Sequence, residues 1–429
     1  MRRPSPREVA NAARPDHFQL DRAGLCLYDI EIGANAPAGA RLNERWKTVI
    51  LVLAFALAAA GCAGPNTHDL LNETTVSVPA SDIAATHEIF VATTRKQATK
   101  DPRQVFDGDR SLTTSYARVD VTVPKVHQVG AIERAKGSAN SNPAKQFTAT
   151  DVVHYGDASQ FAKAVGANIT MNGDRALVFV HGFNNGFDDG VYRLTQIAHD
   201  TEYPGTPILF SWASSGKTTG YIYDKDSANA ARDDLEATLR MLAKTKVKSI
   251  DIIAHSMGTW VTMEALRQLA ITGDRDLDGK LGRVVLASPD IDVDVFKKQM
   301  IRYGKPDRPF VILLSADDRA LRLSSLLSGD KPRVGDYGNA ADIASYGVVV
   351  ADLSQIKGGD RLNHAKFADN PFLVQLLGNR LRAPAGLASD EPTQGQIDNL
   401  GRGLGKAVGS VAEIIITTPF KVLTIATGG

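Results

Sequence analysis

Ala254-His255-Ser256-Met257-Gly258 sets a serine between small residues two positions before and two after it. It follows the apolar run Ser249-Ile250-Asp251-Ile252-Ile253 and precedes a helical pattern from Thr259. A strand that turns sharply into a helix strains the serine backbone and leaves room only for small neighbours. The turn exposes Oγ at the end of the strand, beside a helix N-terminus that favours negative charge. Alanine in place of the first glycine adds one methyl at a tight contact and still fits. Such a serine attacks an acyl carbonyl once a base takes its proton. A second segment, Ala176 to Val180 running into His181-Gly182-Phe183-Asn184-Asn185-Gly186, suits the loop that gives one N–H to a developing oxyanion. The residue after the nucleophile gives the other, so the predicted donors are the backbone N–H groups of Phe183 and Met257. His181 reads as a loop-shaping hydrogen bonder and not as the base.

These residues need a sheet to hold them. Short apolar strands are expected at 176–180, 207–212, 249–254, 283–287, 309–314 and 347–352, alternating with helical patterns at 188–200, 226–244 and 259–270. Strands apolar throughout are buried on both faces, and alternation with helices implies crossover connections. Residues 85–382 therefore read as one α/β domain of α/β-hydrolase fold, with a mostly parallel central sheet flanked by helices. Two further strands, 88–93 and 116–123, add at an edge. In this fold the acid and then the histidine follow the serine along the chain. Of nine histidines only His364 follows Ser256, which makes it the predicted base. The acid stays open: Asp317 and Asp318 end the 309–314 strand, while Asp290 and Asp292 follow the strand before it.

The stretch from Glu88 to Leu377 resembles a bacterial α/β-hydrolase family of largely uncharacterised proteins, often labelled esterase/lipase superfamily. The resemblance rests on HGFNN at His181–Asn185, FSWAS at Phe210–Ser214, AHSMG at Ala254–Gly258, ASPDID at Ala287–Asp292, SADDRAL at Ser315–Leu321 and Asn363-His364. In that family the aspartate before the Arg-Ala-Leu triplet looks like the acid, which favours Asp318. The family's activity is poorly defined, so the resemblance speaks to fold more than to substrate.

The remainder sets the context. The chain has 429 residues, a formal net charge of +1, 43% hydrophobic and 23% charged residues, the balance of a globular protein with no bias toward nucleic acid. Two cysteines exclude a disulfide scaffold. Arg41, Arg45 and Lys47 precede an apolar run, Thr48 to Ala60, ending in Ala59-Ala60-Gly61-Cys62. At about 13 residues it is too short to span a bilayer. A positive start, an apolar middle and a small-residue cleavage site describe a secretory signal, and the following cysteine resembles a bacterial lipoprotein signal lipidated at Cys62. The expectation is an N-terminal extension and signal at 1–61 and a tether at 62–84, with the domain lipid-anchored to the cell envelope outside the cytoplasm. The tract before the signal predicts translation starting near Leu42. Residues 383–429 read as a Gly-rich tail whose apolar end, Val408 to Ala426, forms a helix packed on the domain; an interfacial membrane helix is the alternative. Asp274-Arg-Asp276-Leu-Asp278-Gly279 matches half a calcium loop, but its twelfth position is Val285 where a bidentate Glu belongs, so no metal is expected. Lid candidates are residues 216–226, with Tyr221 and Tyr223, and 329–342. The sequence thus predicts a cofactor-free serine hydrolase acting on small acyl esters. Alternatives are an amidase or thioesterase of the same mechanism and a non-catalytic envelope scaffold. Oligomeric state is left open.

Overall fold

The computed structural model describes residues 69–135, 140–382 and 412–427. Its centre is an eleven-stranded sheet. In chain order the strands are β1 (Ile83–Gln97), β2 (Phe106–Pro124), β3 (Thr148–Tyr155), β4 (Arg175–Val180), β5 (Thr206–Ser211), β6 (Ser249–His255), β7 (Leu281–Ala287), β8 (Val311–Leu314), β9 (Val349–Asp352), β10 (Ala412–Thr417) and β11 (Val422–Thr427). Their spatial order is β11-β10-β9-β8-β7-β6-β4-β5-β1-β2-β3. From β9 through to β1 every neighbouring pair is parallel, and the outer strands on both sides are antiparallel.

The apolar strands are buried on both faces, as their composition requires. In β4, Ala176, Val178 and Val180 join one core, whereas Leu177 and Phe179 join the other. The first core is closed by Phe161 and Val165 of α1 (Ala158–Met171), by α3 (Tyr221–Ala230) and α4 (Arg232–Ala243), and by α5 (Met257–Ile271) and α6 (Val293–Tyr303). On the opposite face lie Val191, Leu194 and Ile197 of α2 (Phe187–Asp200). Helix α7 (Arg319–Leu327) follows β8, and α8 (Pro371–Arg382) puts Leu377 and Leu381 into the second core.

Several expectations need correction. The single helix expected at 226–244 is two, α3 and α4, and α3 takes up part of the first lid candidate. Three strands, not two, extend the sheet on the β1 side, and β1 itself pairs in parallel with β5. Within the expected tether, Leu70 is fully buried, accepts a hydrogen bond from the Tyr192 hydroxyl and donates one to the Arg103 carbonyl. From there onward the tether is docked on the domain.

The terminal apolar segment is not a helix. It is a hairpin, β10 and β11, with β10 antiparallel to β9. Ile414 and Ile416 are buried, Ile415 between them is half-buried and Glu413 before them is exposed, and Pro419 sits in the turn. A run of β-branched residues suits a pleated strand, and the open edge of β9 supplies unpaired backbone groups to meet it. Among the described residues no helix is long and apolar enough to cross a membrane. The expected signal, Cys62 and residues 383–411 lie outside the described residues.

Candidate active site

Ser256 directly follows β6 and caps α5 with φ 53° and ψ −125°, a backbone conformation that L residues avoid and that a strand-to-helix elbow imposes. Two glycines permit it. A Cβ on Gly258 would collide with the carbonyl oxygens of Val180 and His181, and one on Gly182 would lie 2.8 Å from Ser256 Cβ. The loop after β4 therefore rests directly on the serine. Among the described residues the backbone N–H groups of Phe183 and Met257 have no hydrogen-bond partner.

His364 reaches the same edge of the sheet. Its carbonyl accepts hydrogen bonds from Ser288 Oγ (2.9 Å) and from His255 Nε2 (3.2 Å), and its ring centroid lies 4.6 Å from that of His255, the residue before the serine. His364 Nδ1 donates to Asp318 Oδ2 at 2.7 Å, which leaves Nε2 as the basic nitrogen. Among the described residues no hydrogen bond joins the Ser256 hydroxyl to the His364 ring. Such bonds commonly tighten only when substrate is bound.

Of the four candidate acids, Asp318 alone lies on the imidazole. It is fully buried and its Oδ1 accepts from Leu321 N at the start of α7. Asp317 turns away to Lys366 Nζ (2.8 and 3.0 Å) and Asn363 Nδ2 (2.9 Å). Asp290 accepts from Ser324 Oγ and Tyr221 OH and faces Arg333. Asp292 caps α6.

A family model described as "Alpha/beta hydrolase of unknown function (DUF900)" matches residues 157–380, slightly more than half of the chain. The chain belongs to this α/β-hydrolase family. No curated protein sequence matches it. Among solved structures, an esterase of Pyrobaculum calidifontis aligns at 10% identity with a TM-score of 0.33, over 70% of this chain and 85% of its own. A structure titled FAE aligns at 9% identity with a TM-score of 0.24, over 61% of this chain and 77% of its own. Likeness that distant carries no argument.

In this α/β hydrolase the site is framed by residues that no motif announced. Arg95, buried at the end of β1, donates from Nε to Ser211 Oγ (2.8 Å) and from Nη1 to the Ser214 carbonyl (2.8 Å). Its Nη2 donates to the Asn185 carbonyl (2.8 Å) and lies 3.4 Å from His181 Nε2. One guanidinium thus ties the 181–185 loop to the loop after β5. Burial pulls it down to about 10 against the opposing pull of Asp224, Asp188, Asp189 and Asp107. Fully buried Asp224 of α3 completes the frame, accepting from Asn184 N, Ser214 Oγ and Ser215 N. Asp360 shapes the other loop by accepting from the N–H groups of Leu362, His364 and Ala365. A charged residue two places beyond an apolar strand was the available signal for Arg95; Asp224 and Asp360 had none.

The three histidines of this end differ electrically. Burial, helped by Arg95, holds His181 down to about 3; its ring stacks on Trp212 with centroids 4.9 Å apart, and Nδ1 donates to the Gly182 carbonyl. Burial beside His364 pushes His255 well below the usual imidazole value. Both stay neutral. Burial would lower His364 too, but the charge and hydrogen bond of Asp318 outweigh it, with Asp360 and Asp290 adding, so His364 titrates above its ordinary value. A neutral ring cannot stabilise a developing positive charge on its own; the Asp318 carboxylate supplies that at His364. In the Asp274–Gly279 loop, Asp274 is paired with Arg240 and accepts from Asp278 N.

Proposed function

We propose that this α/β hydrolase cleaves carboxylic esters through a Ser256–His364–Asp318 triad. The observation that carries the reading is the 2.7 Å bond from His364 Nδ1 to buried Asp318, at the sheet edge that displays Ser256 in its strained turn. His364 Nε2 takes the Ser256 hydroxyl proton as Oγ attacks the acyl carbon. Asp318 keeps Nδ1–H in place and stabilises the imidazolium. The carbonyl oxygen, now negative, is held by the N–H groups of Phe183 and Met257. His364 returns the proton to the leaving alcohol, and water, activated the same way, releases the acid from Ser256. Phe183, in the loop that rests on Ser256, packs its ring edge-to-face on Tyr221 with centroids 5.4 Å apart, and this apolar pair supports an apolar acyl group. Cys62 is proposed as the lipidated residue that anchors the domain to the envelope membrane.

A fluorophosphonate probe should label the wild-type chain and fail to label Ser256→Ala, and a panel of p-nitrophenyl esters should be hydrolysed with the same dependence. A folded wild type that neither labels nor hydrolyses any ester of the panel leaves the non-catalytic scaffold as the reading. Radiolabelled palmitate in the wild type and not in Cys62→Ala tests the anchor.

A further inference from the structure

At the other end of the sheet a second group of histidines converges. The register pairs Ala254 with Val180, Val180 with Phe210 and Phe210 with Ala92, so the serine, two residues beyond Ala254, lies level with Thr94 of β1. His87 is seven residues below that level, about 23 Å along the strand. There His127, from the loop after β2, meets His199 and Asp200 at the end of α2. One ligand atom from each of the three lies within 4.8 Å of the other two. The His127 and Asp200 side chains are 5% and 1% exposed, so the group is built in rather than scattered on the surface.

We infer that His127, His199 and Asp200 form a binding site for a divalent transition-metal ion of the zinc type, far from Ser256. The surroundings are those of a metal site. His127 Nδ1 donates to Glu133 Oε2 at 2.8 Å, which presents Nε2 to the centre, 2.6 Å from Asp200 Oδ1. A carboxylate on the outer nitrogen of a histidine is the arrangement that orients and strengthens an imidazole ligand. Asp200 is oriented in the same way, its Oδ2 accepting from Gly130 N (2.8 Å) and Gln196 Nε2 (2.6 Å). His199 is held by His87, whose Nε2 lies 3.2 Å from His199 Nδ1. Two imidazoles and a carboxylate suit zinc, with water at a fourth position. Bond lengths near 2.0 Å put ligand atoms of a tetrahedral ion about 3.3 Å apart, so the group closes on an ion by shifts of about 1 Å. The ion takes the place of the His127 Nε2 proton, which is released. It would pin three separate segments together: the loop after β2, the end of α2 and, through His87, the start of β1.

The test is titration of the untagged, chelator-treated full chain with Zn2+ and with Co2+. The expected result is one equivalent bound, visible absorption of tetrahedral Co2+, and a rise in Tm that His127→Gln, His199→Gln and Asp200→Asn each abolish. Glu133→Gln should weaken Zn2+ binding by 10- to 100-fold while keeping one site. Fluorophosphonate labelling of each variant reports whether it is folded, and far-UV circular dichroism does so independently of the serine reading. Absence of binding to the folded wild type overturns the inference. Binding that persists unchanged in folded His127→Gln and His199→Gln overturns it as well, because the ion then sits elsewhere.

Discussion

Two histidine clusters occupy opposite ends of one sheet, and their partners differ in kind. At the Ser256 end the rings lie against rings: His181 on Trp212, and His255 on His364 and Phe367. Their N–H groups go to the backbone carbonyls of Gly182 and His364, and only His364 has a carboxylate. At the other end two carboxylates close on His127 from both sides and a third imidazole backs His199. A carbonyl partner fixes a neutral ring in place. One carboxylate makes a base that can hold a transient proton, while several converging donors favour a lasting cation.

The largest effect that would break this contrast is at the serine. Ser256→Ala should lower ester turnover by roughly 10^4- to 10^6-fold with Tm little changed; turnover surviving within tenfold would remove the serine from the chemistry. Next comes the choice of acid. Asp318→Asn should cost about 10^3- to 10^4-fold in kcat, as loss of the tautomer lock does elsewhere, whereas Asp317→Asn, which loses the Lys366 contacts, should cost less than about tenfold. Reversed magnitudes would put the acid at Asp317.

A smaller loss is expected at the loop that rests on the serine. Gly182→Ala forces a Cβ within 2.8 Å of Ser256 Cβ, and a displacement on that scale lowers kcat by about 10^2-fold. Arg95→Met leaves Ser211 Oγ and the carbonyls of Ser214 and Asn185 without their buried donor. It should lower unfolding free energy by about 2–4 kcal/mol in urea titration. The smallest effect is a pH shift. Because His364 must be neutral to accept a proton and its pKa is raised, the acid limb of kcat/KM should have its midpoint above 6.5. A midpoint below that value would contradict the Asp318 contact.

Legibility followed distance along the chain. The serine elbow is a five-residue pattern whose cause is local sterics, so Ala254 to Gly258 declared it. His364 followed from chain order because no other histidine comes after the serine. Asp317 and Asp318 are adjacent and chemically identical, and what separates them is Lys366, a buried ammonium 49 residues away from Asp317 that claims one and leaves the other. Arg95 carried no role in the sequence because its partners, Ser211, Ser214 and Asn185, lie about 90 to 120 residues away. The terminal segment was read as a helix since apolar content alone does not distinguish the periods; the open edge of β9 made it a hairpin.

Composition and short-range pattern thus determined the double-sided burial of the strands, the turn at Ser256 and the loop at His181–Asn185, all set by backbone sterics and local periodicity. Tertiary structure decided which aspartate meets His364, what holds the loops still, and that His127, His199 and Asp200 share one point. Those outcomes depend on side chains from separate segments meeting within a few ångströms, and spacing along a chain carries no information about that.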